Sequence, residues 1–378
     1  NFASMCNSFM LFCALNAVKG MFIKMKKVLI GMSGGVDSSV AAALLKEQGY
    51  QVIGATMRLW SYSDQNPCHE GCCSESAVED ARRVCDKLGI DFYVMNFKDL
   101  FREKVVDYFA DEYICGRTPN PCIACNRYLK FDAMLKKALA MELDYVATGH
   151  YAKIEQGADG KYLLRTSDAQ SKDQSYVLYH FTQEQLAHTL MPLGGYTKDQ
   201  VRKKAEELGL AVAKKPDSME ICFVEDGNYA DFICGYRHYT PKPGHFVDIH
   251  GNILGEHRGL IYYTVGQRKG LGAFGKPMFV LRLNPADNTV TLGESGMEFT
   301  DTLTASDVNF ISGEIPKEPF FADVRIRYQA RPARAKIEAI QTGVKITFDT
   351  PQRAVTPGQS VVFYDGDIVL GGGSVDAV

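Results

Sequence analysis

Lys26-Lys-Val-Leu-Ile-Gly-Met-Ser-Gly-Gly-Val-Asp-Ser38 is the stretch whose reading decides the fold. Val28-Leu29-Ile30 is a continuous apolar run, the signature of a strand covered on both faces. It passes through a Gly-rich turn into a segment, Val36 to Gln48, whose apolar spacing is helical and which stops at Gly49. Gly34 and Gly35 allow a tight turn that aims successive N–H groups at one point, and the helix N-terminus adds a positive dipole end. The Ser33 and Ser38 hydroxyls add donors. The turn therefore predicts a phosphate cradle rather than an ordinary strand–helix connection. Asp37 is out of place in a bare anion site and makes sense if Mg²⁺ bridges its carboxylate to the phosphates.

The alternation continues outward from this point. Gln51 to Trp60 reads as a strand, and Ser76-Ala-Val-Glu79 as a capping box opening a helix that ends near Gly89. Asp91 to Asn96 is a third strand, Phe101 to Cys115 and Asn126 to Met141 are helices, and Asp144 to Thr148 is a fourth strand. The pattern predicts an α/β fold with a doubly wound parallel sheet and a site at the C-terminal strand ends. Lys153 to Arg165 reads as a hairpin, and Thr197-Lys-Asp-Gln200 caps a helix ending at Gly209. Beyond about Glu225 short alternating runs separated by turn signals replace the helices, as in Met278-Phe-Val-Leu-Arg-Leu283 and Asp323-Val-Arg-Ile-Arg-Tyr328. These predict two small β-rich, barrel-like domains. The expected division is an N-terminal extension (1–24), a catalytic domain (25–225), a central β-rich domain (226–300) and a C-terminal β-barrel (301–378).

At 378 residues the chain exceeds one ordinary core, and 46% apolar with 23% charged residues describes a soluble globular protein. A net charge of −3 removes the simple argument for nucleic-acid binding but leaves room for one basic face. Residues 1–24 lack the basic region and long apolar core of a signal peptide, so they read as an extension before a start near Met21 or Met25, and the expected location is the cytoplasm. Eleven cysteines in a chain of this length point to thiol, metal or redox chemistry rather than a disulfide framework. Cys68-His69-Glu-Gly-Cys72-Cys73 has zinc-ligand residue types, but no second ligand pair follows, so incidental thiols in a helix-entry loop are the simpler reading. Cys85 and Cys115 read as core residues.

Ser33-Gly-Gly-Val-Asp-Ser38 is similar to the signature of the PP-loop ATP pyrophosphatases, which cleave ATP to AMP and pyrophosphate and adenylate a substrate oxygen. Further runs resemble one family among them, the tRNA-specific 2-thiouridylases (MnmA family). They are Asn120-Pro-Cys-Ile-Ala-Cys-Asn126, Ala147-Thr-Gly-His-Tyr151, Ser171-Lys-Asp-Gln-Ser-Tyr176, Asp217-Ser-Met-Glu-Ile-Cys-Phe223 and Tyr263-Thr-Val-Gly-Gln-Arg-Lys-Gly270. They follow the family's order from about residue 26 to the C-terminus.

The resemblance implies 2-thiolation of the wobble uridine, U34, of tRNAs of the Lys, Glu and Gln type. It implies ATP phosphates on Gly31, Met32, Ser33, Gly34, Gly35, Val36, Asp37 and Ser38, adenine near Met57, and Gly149 at the nucleotide's border. It makes Cys125 the nucleophile and Cys222 the persulfide carrier, with Asp37 catalytic. Sulfur comes from a donor protein, and a reductant resets a Cys125–Cys222 disulfide. On the RNA side it implies Asn120, Pro121 and Cys122 near the target base, and Lys172, Asp173 and Gln174 on the tRNA. Arg327 and Tyr328 belong to a basic stripe, with Arg325, Arg331 and Arg334, that suits backbone contact with base stacking. Gln267-Arg268-Lys269 faces either RNA or a domain interface.

One position departs from the family pattern. Some members carry an aspartate where this chain has Cys122. That puts an acid/base role there in doubt and creates a second possibility, a [4Fe–4S] cluster on Cys122, Cys125 and Cys222. Two readings from other classes also compete. An amidotransferase-type synthetase would have no use for the placed cysteines. A sulfur carrier with a relic loop would have no use for an intact Ser-Gly-Gly-Val-Asp-Ser.

Overall fold

A computed structural model of the chain describes residues 25–60, 75–217, 221–224 and 227–377. The run 1–24 and the Cys68, His69, Cys72 and Cys73 cluster lie outside the described residues, and so does the turn preceding the Ser76 box. The first unit opens with β1 (Lys27–Gly31), α1 (Val36–Glu47), β2 (Gln51–Arg58), α2 (Glu75–Leu88) and β3 (Asp91–Asn96). Two long helical segments follow, α3 (98–114) and α4 (121–140), then β4 (Tyr145–Ala147). The hairpin β5 (Ala152–Gln156) and β6 (Tyr162–Thr166), α5 (Gln183–Ala187), β7 (Thr189–Leu190) and α6 (Lys198–Glu207) complete it.

β1 pairs in parallel with both β2 and β4, and the sheet order is β3-β2-β1-β4-β7. Val28, Leu29 and Ile30 are fully buried between helical layers, the physical meaning of the unbroken apolar run. α2 offers Ala77, Ala81, Val84 and Cys85 on one face to this core. Burial pushes the Cys85 thiol up to about 12, an inert core group. Cys115, by contrast, is exposed just past the end of α3, so the expectation of a core residue fails there.

A second unit follows α7 (Tyr229–Arg237). It contains β8 (Gly244–Val247), β9 (Ile253–His257), β10 (Met278–Asn284) and β11 (Thr289–Glu294), in the order β10-β11-β8-β9 around Phe246, Tyr263, Val280, Val290 and Leu292. The third comprises β12 (Phe299–Phe310), β13 (Phe320–Arg325), β14 (Ala333–Ile340), β15 (Gly343–Arg353), β16 (Ser360–Asp365) and β17 (Ile368–Ala377). Its order is β12-β15-β14-β13-β16-β17, and β12 pairs back onto β17, so six strands close into a barrel without free edges. β6 also joins β17, through Leu164 opposite Val369 and Arg165 opposite Ile368. That junction ties the barrel to the first unit.

Two elements differ from the sequence reading. The helix expected from Asn126 already begins at Pro121, because Asn120 accepts the Cys122 N–H at 3.1 Å and proline occupies the first helical position. β7 is only two residues long and borrows its place from β4, so no local pattern announces it.

Candidate active site

The turn after β1 is pinned from both sides. Met32 donates its N–H to Ala55 O at 2.8 Å, and its carbonyl accepts from Thr56 Oγ1 at 2.8 Å. Gly34 has φ +68°, and a Cβ there would stand 2.3 Å from Ala77 O, so only glycine fits. Gly35 is the N-cap of α1 and carries no capping side chain. The Ser38 and Ser39 hydroxyls turn back to Gly35 O at 3.3 and 2.8 Å, and the Ser33 N–H meets Ser38 Oγ at 3.2 Å. The first amides of α1 thus gather at the sheet's C-terminal edge without a side-chain cap, an arrangement able to hold an anion. Gly149, just past β4, closes one side: a Cβ there would lie 2.7 Å from Ser38 N. Val36 is buried beneath the cradle, and Met57, half-buried at the end of β2 opposite Met95, bridges two apolar clusters beside it.

Asp37 sits inside a network of charges that the sequence did not announce. Tyr151 Oη donates to Asp37 Oδ1 at 2.7 Å, and Lys198 Nζ lies 2.8 Å from both Asp37 oxygens. The same ammonium is 2.7 Å from Asp217 Oδ1, and Asp217 also takes Lys172 at 2.9 Å and Arg202 at 3.3 Å. Burial raises the Asp217 pKa, but hydrogen bonds from Lys198 and Lys172 outweigh it and hold the carboxyl below its usual range. Burial, and then the Asp37 charge, push the Tyr151 phenol upward. Lys215 reaches Gly34 O at 3.2 Å and Asp80 at 2.9 Å. The only local hint of Lys198 in the sequence is its place after Thr197, whose capping box with Gln200 forms as expected.

The thiols occupy the first turns of α4. Cys122 is exposed, whereas Cys125 is 8% exposed and packs with Leu59, Phe109 and Leu129. The same cluster takes in Ile221 and Phe223, the neighbours of Cys222. Phe223 is buried edge-on against Phe109 at 5.3 Å and Phe101 at 5.7 Å, and the Cys222 thiol between these anchors is exposed. Cysteines from two distant parts of the chain therefore flank one apolar wall. Among the described residues no group of three His, Cys, Asp or Glu side chains comes together as a metal site. Of the three thiols named for a cluster, Cys122 and Cys222 are exposed and Cys125 is buried.

The residues expected on the RNA divide by burial. Asn120 and Pro121 are spent on capping α4. Lys172 is paired with Asp217, and Gln174 exchanges hydrogen bonds with the Tyr151 backbone, its Oε1 accepting at 2.9 Å. Asp173 is 5% exposed and accepts from Ser167 N, Ser175 N, Ser175 Oγ and Arg325 Nη1, so it anchors its segment to the barrel instead of presenting a carboxylate outward. Arg325 accordingly leaves the exposed stripe. Arg327 remains exposed but donates to the Arg353 and Ala354 carbonyls at 2.7 and 2.9 Å. Tyr328 is 38% exposed and stands edge-on to Tyr176 at 6.0 Å, and burial, then the Asp173 charge, raise its phenol pKa. Arg268 and Lys269 are exposed.

Comparison with known proteins agrees with this architecture unit by unit. Family models match in chain order: a tRNA methyl transferase HUP domain over residues 26–226, a tRNA methyl transferase PRC-barrel domain over 230–294, and an aminomethyltransferase beta-barrel domain over 300–375. A tRNA-specific 2-thiouridylase MnmA of Acetivibrio thermocellus is 61% identical over 93% of this chain and 99% of its own length. The MnmA proteins of Clostridioides difficile and Clostridium botulinum are 58% and 56% identical, over 93% and 95% of this chain and 98% and 100% of theirs. Such identity, sustained through all three units, shows that the chain belongs to the tRNA-specific 2-thiouridylase (MnmA) family.

Proposed function

We propose that the protein is a tRNA-uridine 2-sulfurtransferase that activates O2 of the wobble uridine with ATP and replaces it with sulfur. The observation that carries this reading is the shared apolar wall. Cys125 and the two neighbours of Cys222 pack in one cluster, which also takes Leu59 and Met57 from the strand end beside the phosphate cradle. The family models are described as methyl transferase domains, yet thiols beside a phosphate cradle are the equipment of sulfur transfer.

In the first step uridine O2 attacks the α-phosphorus of ATP, pyrophosphate leaves with the electron pair of the broken bond, and the N3 proton passes to water. The cradle from Gly31 to Ser38 orients the phosphates, with Met57 and Gly149 at the nucleoside side. Asp37 fits Mg²⁺ as a hard carboxylate beside an anion site, where phosphates supply the other ligands and the ion would neutralise their charge. The terminal sulfur of a Cys222 persulfide, loaded by a donor protein, then attacks C2, and AMP departs. The Cys125 thiolate attacks the Cys222 sulfur, which releases the thiocarbonyl and leaves a Cys125–Cys222 disulfide. A dithiol reductant returns the two electrons. The target base must leave its stack to reach this turn, with Tyr328 as an aromatic partner for it or its neighbour.

In this reading residues 25–225 perform activation and sulfur transfer, 226–300 connect, and 301–378 hold the RNA. The substrates are tRNAs of the Lys, Glu and Gln type, and the site of action is the cytoplasm. No helix among the described residues is long and apolar enough to cross a membrane.

The test is single-turnover thiolation by iron-free, persulfide-loaded protein. Cys125→Ser should stop release of thiolated RNA while tRNA-dependent pyrophosphate formation persists, and Cys222→Ser should stop sulfur reaching RNA. Full thiolation by either variant would overturn its role, and activity that appears only with bound iron and sulfide would overturn the persulfide relay.

A further inference from the structure

Lys198 is the least expected group at the cradle. Its side chain is 13% exposed, and its ammonium bridges Asp37 and Asp217 at 2.7–2.8 Å. Stability alone gives little reason for such an arrangement, since a buried ion cluster is often matched or bettered by apolar residues of the same volume. The charge balance does give one. Lys198, Lys172 and Arg202 set three cations against the two carboxylates of Asp37 and Asp217. Lys215, the next cation, is already matched by Asp80. Among the described residues the cluster thus holds one cation more than carboxylates, and Lys198 is the member that reaches the first turn of α1. Asp37 is the second residue of that helix, so an ammonium 2.8 Å from its carboxylate is within a side-chain rotation of any phosphate held by the first turn. Lysine has three donors on a flexible stem, and it can give one to a phosphate oxygen while another stays on Asp217.

We propose that Lys198 is a catalytic residue of the adenylation step, the cation that takes up charge on the phosphate chain of ATP, and that Asp217 is the positioning residue that holds it there. The inference rests on the adenylation assigned above. As the bond between the α-phosphorus and its bridging oxygen breaks, negative charge grows on the departing pyrophosphate, and Lys198 donates hydrogen bonds to it without being consumed. Without nucleotide the same ammonium neutralises Asp37. When nucleotide arrives it keeps Asp217 and turns from Asp37 to phosphate, leaving the Asp37 carboxylate for its own partner. This accounts for an acidic residue inside an anion cradle: Asp37 keeps the lysine in place until the anion displaces it.

The experiment measures tRNA-dependent pyrophosphate release in a single turnover at saturating ATP, beside thermal unfolding and tRNA binding. Lys198→Gln should slow release by about 100- to 1,000-fold, the effect of removing one preorganised donor at a developing charge. The KM for ATP should change far less, and tRNA binding should not change. Lys198→Arg should recover part of the rate. Lys198→Met keeps the length without the charge and should lose the step equally, and because it also leaves Asp37 without its ammonium the rate is read below the melting temperature that the unfolding scan gives for that variant. Asp217→Asn should slow release by about tenfold alone and by nothing further in the Lys198→Gln background, the non-additivity expected of one unit. Lys198→Met or Lys198→Gln releasing pyrophosphate within about threefold of the unaltered rate would overturn the proposal, and so would additive losses at 198 and 217. If the unaltered chain forms no tRNA-dependent pyrophosphate, the thiolation reading itself falls, and this inference with it.

Discussion

Gly34 and Gly35 are indistinguishable as letters but stand in opposite physical situations, and replacing each with alanine should separate them. At Gly34 the backbone is left-handed, φ +68°, which costs an L-residue about 1–2 kcal/mol. The new methyl would also stand 2.3 Å from Ala77 O and 2.9 Å from two further backbone atoms of α2. Backbone cannot rotate aside as a side chain can, so helix and loop must separate, and overpacking of this kind costs about 1–3 kcal/mol. The sum is about 2–5 kcal/mol. At Gly35 the backbone is extended, φ −103° and ψ 169°, and the only near neighbour of an added Cβ is Ser33 Oγ at 3.3 Å, the end of a rotatable side chain. The loss there is that of a poorer N-cap residue, about 0.5–1 kcal/mol. For a unit of some 200 residues, at about 2–4 °C per kcal/mol, Gly34→Ala should lower the melting temperature by about 4–20 °C and Gly35→Ala by at most about 4 °C. Scanning calorimetry of both variants, with urea midpoints as a second probe, is the assay. Equal losses, or a larger loss for Gly35→Ala, would mean that the loop is not held against α2 in the way described.

Two further outcomes follow from buried charge. Burial, and for His150 also Lys130, holds the His150 imidazole well below its ordinary value, and burial pushes His180 down to about 3. Below about pH 6.5 the unfolded chain therefore binds protons that the folded chain refuses, and stability should fall by up to about 1.4 kcal/mol per pH unit for each histidine. Urea unfolding between pH 7.5 and 5 should show this decline, and His150→Gln should flatten it by close to one proton; an unchanged slope would show that His150 is not buried in its neutral form. Arg325→Met leaves the Asp173 carboxylate buried with only its serine donors, at a cost of about 2–4 kcal/mol, reduced from the fully buried case because Arg325 is partly solvated. Asp173→Asn added to Arg325→Met should restore more than half of that in the urea midpoint, and a simple addition of losses would show that the two groups do not interact.

The parallel sheet was legible because local physics repeats along it. Val28-Leu29-Ile30 can only be a strand covered on both faces, and the turn from Ser33 to Ser38 carries its anion chemistry within six residues. The helix from Thr197 was legible for the same reason, since its cap is closed by its own Gln200. The start of α4 carried an equally local signal, Asn120 before Pro121, which places the first helical residue ahead of the Asn126 expected from apolar spacing. Cys115 went the other way: residue type and its place on a helix suggested a core thiol, and packing left it exposed.

The residues that meet across long stretches of chain were beyond any local reading. Lys198 reaches Asp37 over 161 positions, and Ile221 and Phe223 join the cluster of Cys125 from nearly a hundred residues away. The closure of the barrel by β12 on β17, and its attachment through β6, bring Arg325 to Asp173 and Tyr328 to Tyr176. Hydrophobic period, caps and turn glycines are short-range quantities, so the amino-acid order alone was enough for the main strands and helices of the parallel sheet and for naming a phosphate turn and thiols as candidates. Which charges and rings face that turn depends on how separate elements pack against one another, and only the tertiary structure decided it.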